Sequence, residues 1–461
     1  MKIAKQIDEV AATSAVAVVR AALERAKADK NNVVINLSES RALERAAKVD
    51  AGELKGRLAG VPFVAKDNFL GYGAPTTAAS KLLKSFDAPL QATVVEKLES
   101  EGAICIGKVN LDAFAHGGST ENSAYGVTRN AVDPTRVAGG SSGGSAVAVA
   151  RGIVPFALGT DTGGSIRQPA SFNGVVGIKP TYGAVSRYGV VAMASGTDTI
   201  GVLAHDVEDT ALLMDIMTGQ DTKDMTTLPD FFAVQSTPTG KKLGLIKEFM
   251  AEGIDPIVRA RILAAVEQYK SLGYEVEEVS LPMLKYALAI YYIVVPAEIS
   301  SNLARYDGVR YGSRVGNEGT LRDVYELSRQ AGFEPENKRR IIIGSYVLSS
   351  GFFDAYYQKA QKARTLLIRE FNDVLSRYDA LIGPVAPSPA FKIGNNTDDP
   401  LKMYLEDVMT VPASLAGLPA VSVPIDTNDE GLPIGIQIIG KRRDDAHILA
   451  IARELEELRH G

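Results

Sequence analysis

Cysteine occurs once in these 461 residues and histidine only four times. The lone Cys105 excludes a disulfide within the chain and any zinc site built on paired cysteines. It sits in the apolar run AICIG, where the expected role is a small buried hydrophobe in a strand. A basic excess is missing too: 50 Lys and Arg stand against 55 Asp and Glu, a formal charge of −5. A chain that grips nucleic acid through many phosphates by itself needs more positive charge than short clusters such as Lys338, Arg339 and Arg340 supply. No apolar run of about 18 residues stands out, so no membrane-spanning helix is expected. The mildly apolar stretch VAATSAVAVV follows Asp8 and Glu9, the wrong charge for a signal peptide, and reads as an amphipathic helix. A cytoplasmic protein is the default expectation.

What is present is material for a large core, with 46% hydrophobic and 23% charged residues. Residues 5–48 carry apolar positions at helical spacing and read as helices. From residue 58 the texture changes. Short apolar runs (VPFVAK, AICIGKVN, VPFALGT, GVVGIKP) alternate with helical stretches such as 91–101, and Gly and Pro punctuate their ends. That alternation predicts an α/β architecture with a well-covered sheet. Residues 219–241 are the most linker-like piece. Beyond them KKLGLIKEF, YEVEEVSLP, ALIGPVAP, PAVSVPI and PIGIQIIG read as strands, and 255–272, 355–377 and 444–459 as helices.

The stretch GGSSGGS, residues 139–145, is the obvious place to look for chemistry. It spells G-x-S-x-G, the nucleophile elbow of α/β-hydrolases, but that fold needs an acid and then a His downstream. None of His116, His205, His447 and His460 stands in a loop of small residues suited to that part. No Lys follows the glycines as a phosphate loop requires, no dinucleotide fingerprint is present, and a flexible linker would not run into AVAVA. A second loop, GTDTGGSIRQPAS at 159–171, supplies another serine, and Lys66 ends the apolar strand GVPFVAK. A buried lysine whose pKa is lowered can serve as the base that a serine nucleophile lacks. A strand-end lysine paired to a carboxylate is the competing reading.

Lys66, GGSSGGS and GTDTGGSIRQPAS together, at this spacing, resemble the amidase signature family. The resemblance implies an amidase-signature α/β fold, a large mixed sheet with helices on both faces, in a single domain over 1–461. Within it 1–50 would be helical, 51–218 the catalytic core, and 242–461 the half completing the sheet and pocket. It also implies a Lys-Ser-Ser triad, with Ser165 as nucleophile, Ser141 as the bridging serine after a cis peptide, and Lys66 as the ultimate base. The backbone N–H groups of Thr162, Gly163, Gly164 and Ser165 would form the oxyanion hole. Ser142 is expected in the active-site network, Ser145 as a cap of the following helix, and Asp161 with Arg167 as a structural ion pair.

Longer segments (STENSAYGVTRN, SSGFFDAYYQKAQKARTLL, TVPASLAGLPAVSVP) are similar to one branch of that family, the glutaminase (A) subunits of tRNA-dependent amidotransferases. The branch implies glutamine as substrate, its α-carboxylate on Arg340, its α-ammonium on Asp407, and Tyr291 in the pocket wall. Arg339 beside Arg340, and Tyr292 beside Tyr291, leave those assignments open by one residue. No metal or cofactor is implied in this chain. ATP and magnesium belong to an expected partner, the tRNA-binding kinase and transamidase (B) subunit, with a small (C) subunit that clamps the two. Ala113, His116, Gly118 and Ala138 depart from the residues common in the branch; His116 is a candidate for the ammonia path. A stand-alone amidase acting on another small amide, and a non-catalytic scaffold subunit, are the competing functional readings.

Overall fold

Short β-branched and apolar runs bounded by Gly and Pro become the strands of one sheet in the computed structural model, which describes residues 1–233, 237–316, 319–396 and 400–460. In chain order they are β1 (Val34–Leu37), β2 (Pro62–Lys66), β3 (Ile104–Val109), β4 (Phe156–Asp161), β5 (Val176–Lys179) and β6 (Thr199–Ala204). The series continues with β7 (Lys242–Ile246), β8 (Glu275–Val279), β9 (Ala380–Pro384), β10 (Ala420–Thr427) and β11 (Pro433–Ile439). Their spatial order is β1-β3-β2-β4-β6-β5-β10-β11-β9-β7-β8. β3, β2 and β4 are mutually parallel, as are β9, β7 and β8, while the middle strands pair antiparallel. The sheet is therefore mixed, and strands from both sides of residues 219–241 meet in it where Ile178 of β5 pairs with Val421 of β10.

The central strands are buried along their whole length, as continuous apolar runs between two helical layers require. On β2, Phe63 and Ala65 face one core and Val64 the other. The first core is covered by helices Thr93–Ser100, Val207–Met217, Pro256–Ser271 and Asp445–His460. The second is covered by Ala15–Ala28, Glu39–Asp50 and the short apolar helix Gly143–Ala150. A third cluster packs Ala287–Asn302 and Lys359–Leu375 on the far half of the sheet, against Leu381, Ala420 and Ile439. Helices on both faces follow from this alternation.

Two sequence expectations fail. Residues 5–48 are not helical throughout: β1 interrupts them and adds an antiparallel edge, Val34 facing Val109 of β3. Its four residues are only half-buried, so no long apolar run announced it. The expectation that no segment is apolar enough to span a bilayer also fails on length and composition. The continuous helical run Pro282–Arg305 has a window of mean hydropathy 1.3, half of it buried. Its apolarity has a local cause, since Ile290, Val294, Val295 and Ile299 fill the third core.

The rings of Phe63 and Phe156 stack across β2 and β4, 5.1 Å between centroids and fully buried. Truncation at such a site costs about 3–5 kcal/mol. Phe156→Ala is accordingly expected to lower the unfolding free energy in urea by that amount, and a loss under about 1 kcal/mol would contradict this packing.

Candidate active site

The parallel pairing of β2 and β4 brings the ends of both strands to one edge of the sheet. Lys66 closes β2, and Thr160 and Asp161 close β4, which opens into the loop carrying Ser165. The 139–142 loop lies against the same edge, its helix Gly143–Ala150 starting at once.

Lys66 is fully buried. Its Nζ lies 2.8 Å from Ser141 Oγ, 2.9 Å from Thr160 Oγ1 and 3.4 Å from the Thr160 carbonyl. Burial lowers its pKa to about 7, against the opposing pull of Asp112, Asp161 and Asp198. The amine is thus able to be neutral, and a base, near neutral pH. Lys179 is an instructive contrast. Burial, and then the charge of Arg167, bring it to about 7 as well, but among the described residues its Nζ bonds only the carbonyl of Pro180 and has no hydroxyl to deprotonate.

The Gly140–Ser141 peptide is cis, the geometry expected there. Gly140 is required by crowding: a Cβ would stand 2.2 Å from Asp112 Oδ2. Asp112, overlooked in the sequence, is fully buried, accepts from the N–H groups of Thr120 and Asn122, and is raised by burial to about 6. Ser142 Oγ donates to the Thr160 carbonyl at 3.2 Å, within the network around Lys66. Ser145 does not cap the helix. It lies inside the first turn and donates 2.9 Å to Leu158 on β4, because the helix is pressed onto that strand.

Ser165 sits at the surface of this network, 9% exposed, its carbonyl accepting 3.1 Å from the Ser142 N–H. Lys66 and Ser141 are joined directly; no hydrogen bond joins the Ser141 and Ser165 hydroxyls among the described residues. The N–H groups of Gly163, Gly164 and Ser165 likewise find no protein acceptor among the described residues, so they are free to receive an oxyanion. The loop is pinned from three sides. Thr162 Oγ1 donates 2.7 Å to Asp198, which also accepts from the N–H groups of Met193 and Ala194. Thr410 Oγ1 donates 2.7 Å to the Gly163 carbonyl, and at Gly164 (φ +142°) a Cβ would lie 2.1 Å from that hydroxyl. Arg167 forks onto Asp161 with two contacts of 3.0 Å, and both residues are fully buried. The same guanidinium reaches Ser414 at 2.9 Å and Gln437 at 3.2 Å, so the pair is a structural clamp.

A second cluster adjoins the loop. Tyr291 lies against Gly163, its hydroxyl 2.6 Å from where a Cβ would stand. Its neighbour Tyr292 donates 3.1 Å to Asp407 Oδ2 and stacks on Tyr404, with ring centroids 3.9 Å apart. The Arg340 guanidinium lies 5.5 Å from the Tyr292 ring and 5.7 Å from that of Tyr404. Its Nε donates 2.8 Å to Glu336, and its terminal nitrogens have no partner among the described residues. Arg340 is buried and Arg339 exposed, so it is Arg340 that faces Tyr292 and Asp407. Likewise Tyr292, not Tyr291, bonds Asp407. Burial raises Asp407 to about 7 against Arg340 and Tyr292, while its Oδ1 stays unbonded among the described residues. Arg340 lines a cavity of about 200 Å³ with Asp112, His116, Gly118, Met403 and Tyr404, whose wall does not include Ser165. No group of three or more His, Cys, Asp or Glu among the described residues is placed to hold a metal ion.

A buried lysine on a serine beside a second serine loop with open backbone donors defines an acyl-transfer site of the amidase type. The chain belongs to the amidase family, whose profile matches residues 17–449. Its similarity extends to proteins named as the A subunit of glutamyl-tRNA(Gln) amidotransferase. The one from Symbiobacterium thermophilum is 53% identical over 91% of this chain and 88% of the relative. That of Geobacillus kaustophilus is 51% identical over 93% and 90%. Among solved structures, the protein of the same name from Thermotoga maritima is 41% identical with a TM-score of 0.82, covering 99% of this chain and 94% of that one. A bacterial aryl acylamidase is 27% identical with a TM-score of 0.86, covering 99% and 96%.

Two outcomes test this geometry. Only the neutral Lys66 amine can accept a proton, so kcat/KM for amide hydrolysis should rise with pH and be half-maximal near 7. A flat profile through neutral pH would remove Lys66 as the base. Arg167→Met should cost about 3–5 kcal/mol of stability in chemical denaturation, because it strands the buried Asp161 carboxylate.

Proposed function

We propose that this chain is the glutamine-hydrolysing subunit of a tRNA-dependent amidotransferase, releasing ammonia for the amidation of misacylated Glu-tRNA(Gln) or Asp-tRNA(Asn). The observation that carries the choice of glutamine is a guanidinium and a carboxyl group that each keep open hydrogen-bonding atoms beside the Gly163 loop. Among the described residues, Arg340 has unpaired guanidinium nitrogens and Asp407 an unbonded oxygen, with Tyr292 between them. A free α-amino acid offers the complementary carboxylate and ammonium.

In this reading the Ser165 hydroxyl attacks the side-chain amide carbon as its proton passes to Ser141, whose own proton goes to neutral Lys66. The oxyanion is received by the N–H groups of Thr162, Gly163, Gly164 and Ser165, with the Thr162 side chain held in place by Asp198. The lysine proton returns through Ser141 to the departing nitrogen, and the C–N bond breaks to give ammonia and a γ-glutamyl ester on Ser165. Water, deprotonated along the same relay, hydrolyses the ester to glutamate. The sum is glutamine plus water to glutamate plus ammonia.

The ammonia is used by a partner. A tRNA-binding (B) subunit with ATP and magnesium would activate the misacylated tRNA end, and a small (C) subunit would hold the assembly together, in the cytoplasm. A charge of −5 on this chain is consistent with the partner making most phosphate contacts. A stand-alone amidase shares the triad and differs at the Arg340 and Asp407 grip. Arg340→Ala should therefore raise KM for glutamine by about 100-fold while leaving kcat for a small neutral amide within about twofold. Rapid turnover of neutral amides with indifference to glutamine would overturn the assignment.

A further inference from the structure

His116 is placed where it can do more than fill space. It ends the short 3₁₀ turn Ala113–Ala115 and is fully buried in the wall of the 200 Å³ cavity that also holds Arg340. Its Nδ1 lies 2.7 Å from Asn337 Nδ2. The state of that amide is fixed by its other contacts. Asn337 Oδ1 accepts 3.1 Å from the Glu334 N–H in the capping box that begins helix Pro335–Val347. One Nδ2 proton goes 2.8 Å to the Ala113 carbonyl, leaving the second for His116. His116 Nδ1 must then be the acceptor, and the ring proton sits on Nε2.

That Nε2–H has no partner among the described residues. The ring cannot escape by taking a second proton, since burial and then the charge of Arg340 hold its pKa well below the ordinary value. A buried N–H without an acceptor is destabilising, and native structures keep few of them. Asn337 and Arg340 lie three residues apart on one helix face, so one element holds the His116 ring and the guanidinium at the same cavity, with Nε2 itself covered. Asp112, in the same wall, does not answer the need. Its two oxygens accept from the N–H groups of Thr120 and Asn122, and neither bonds His116 Nε2 among the described residues.

We infer that His116 Nε2–H is a substrate-binding donor that shares with Arg340 the α-carboxylate of the amide substrate. The inference rests on the glutamine reading above and adds a specificity residue to it. Two donors of different kind suit the two oxygens of a carboxylate: a permanently charged fork for one and a neutral N–H for the other. Nε2 has almost no accessible surface, so the bond requires the cover over the ring to shift when the carboxylate enters. A substrate lacking the carboxylate leaves this donor unpaired, and so the site selects against it.

The two ring nitrogens can be tested apart. His116→Asn keeps an acceptor near Nδ1 for Asn337 but withdraws the Nε2 donor; His116→Gln returns an N–H near Nε2 but gives up the Nδ1 acceptor. With the partner subunits present, His116→Asn should raise KM for glutamine by about 10- to 100-fold, with kcat and thermal midpoint close to wild type. Its kcat/KM for 4-aminobutanamide, glutamine without the α-carboxylate, should be unchanged. His116→Gln should recover most of the KM while losing thermal stability. An unchanged glutamine KM in His116→Asn, or an equal loss on both amides, would overturn the inference while leaving wild-type glutaminase activity standing. Absence of glutamate release by the wild type would sink the glutamine reading and this inference with it.

Discussion

The site is organised around the cost of holding an amine out of water. Among the described residues, Lys66 at the end of β2 has no carboxylate in contact; Asp112, Asp161 and Asp198 act on it through space, and its bonds are to Ser141 and Thr160. Desolvation wins that contest and leaves the nitrogen with a proton affinity suited to exchange. A carboxylate at bonding distance would restore the ordinary ammonium and remove its capacity to act as a base. The surrounding features keep that balance. The carboxylate of Asp161 is absorbed by Arg167, Asp112 is raised by burial and engaged by backbone donors, and Asp198 is taken up by Thr162 and two N–H groups. Lys179 shows that burial alone is not enough, because its partner is a carbonyl.

The second organising fact is that the nucleophile loop belongs to both halves of the chain. Its residues come from the strand after β2 in the sheet, yet Thr410, Ser414 and Gln437 hold it from the C-terminal side. The proposed glutamine grip comes from that side as well, through the cluster of Tyr292, Arg340, Tyr404 and Asp407. Reaction chemistry and substrate choice are therefore supplied by different stretches of sequence that the sheet joins where β5 meets β10. This explains how one fold carries relatives as different as part of a tRNA amidotransferase and an aryl acylamidase.

Much of this was legible from residues alone. The parallel strands that position Lys66 and Ser165 were readable because buried strands leave continuous apolar runs, and the two glycine-serine loops because crowding forbids side chains there. The choice between Arg339 and Arg340 was not readable, since adjacent helical residues differ only in the direction they face. Asp112 and Asp198 were missed for another reason. Each acts by accepting backbone N–H groups from a loop that folds around it, and nothing in local sequence marks such an acceptor. Ser145 was misread because a serine near a helix start usually caps it, whereas contact with β4 claims its hydroxyl here. β1 escaped notice because a half-buried edge strand carries little periodicity.

The reach of Arg167 across the molecule bears on how sequences of this kind can be inherited. Its guanidinium joins Asp161, six residues before it, to Ser414 and Gln437 near the far end of the chain. Genetic exchange that spliced the front of one such gene to the back of another would separate these partners. The hybrid would keep a buried cation whose neutral ligands were drawn from a different lineage. Only crossovers that carry compatible residues at both ends would leave a working loop, which constrains the two halves jointly although they lie far apart in sequence.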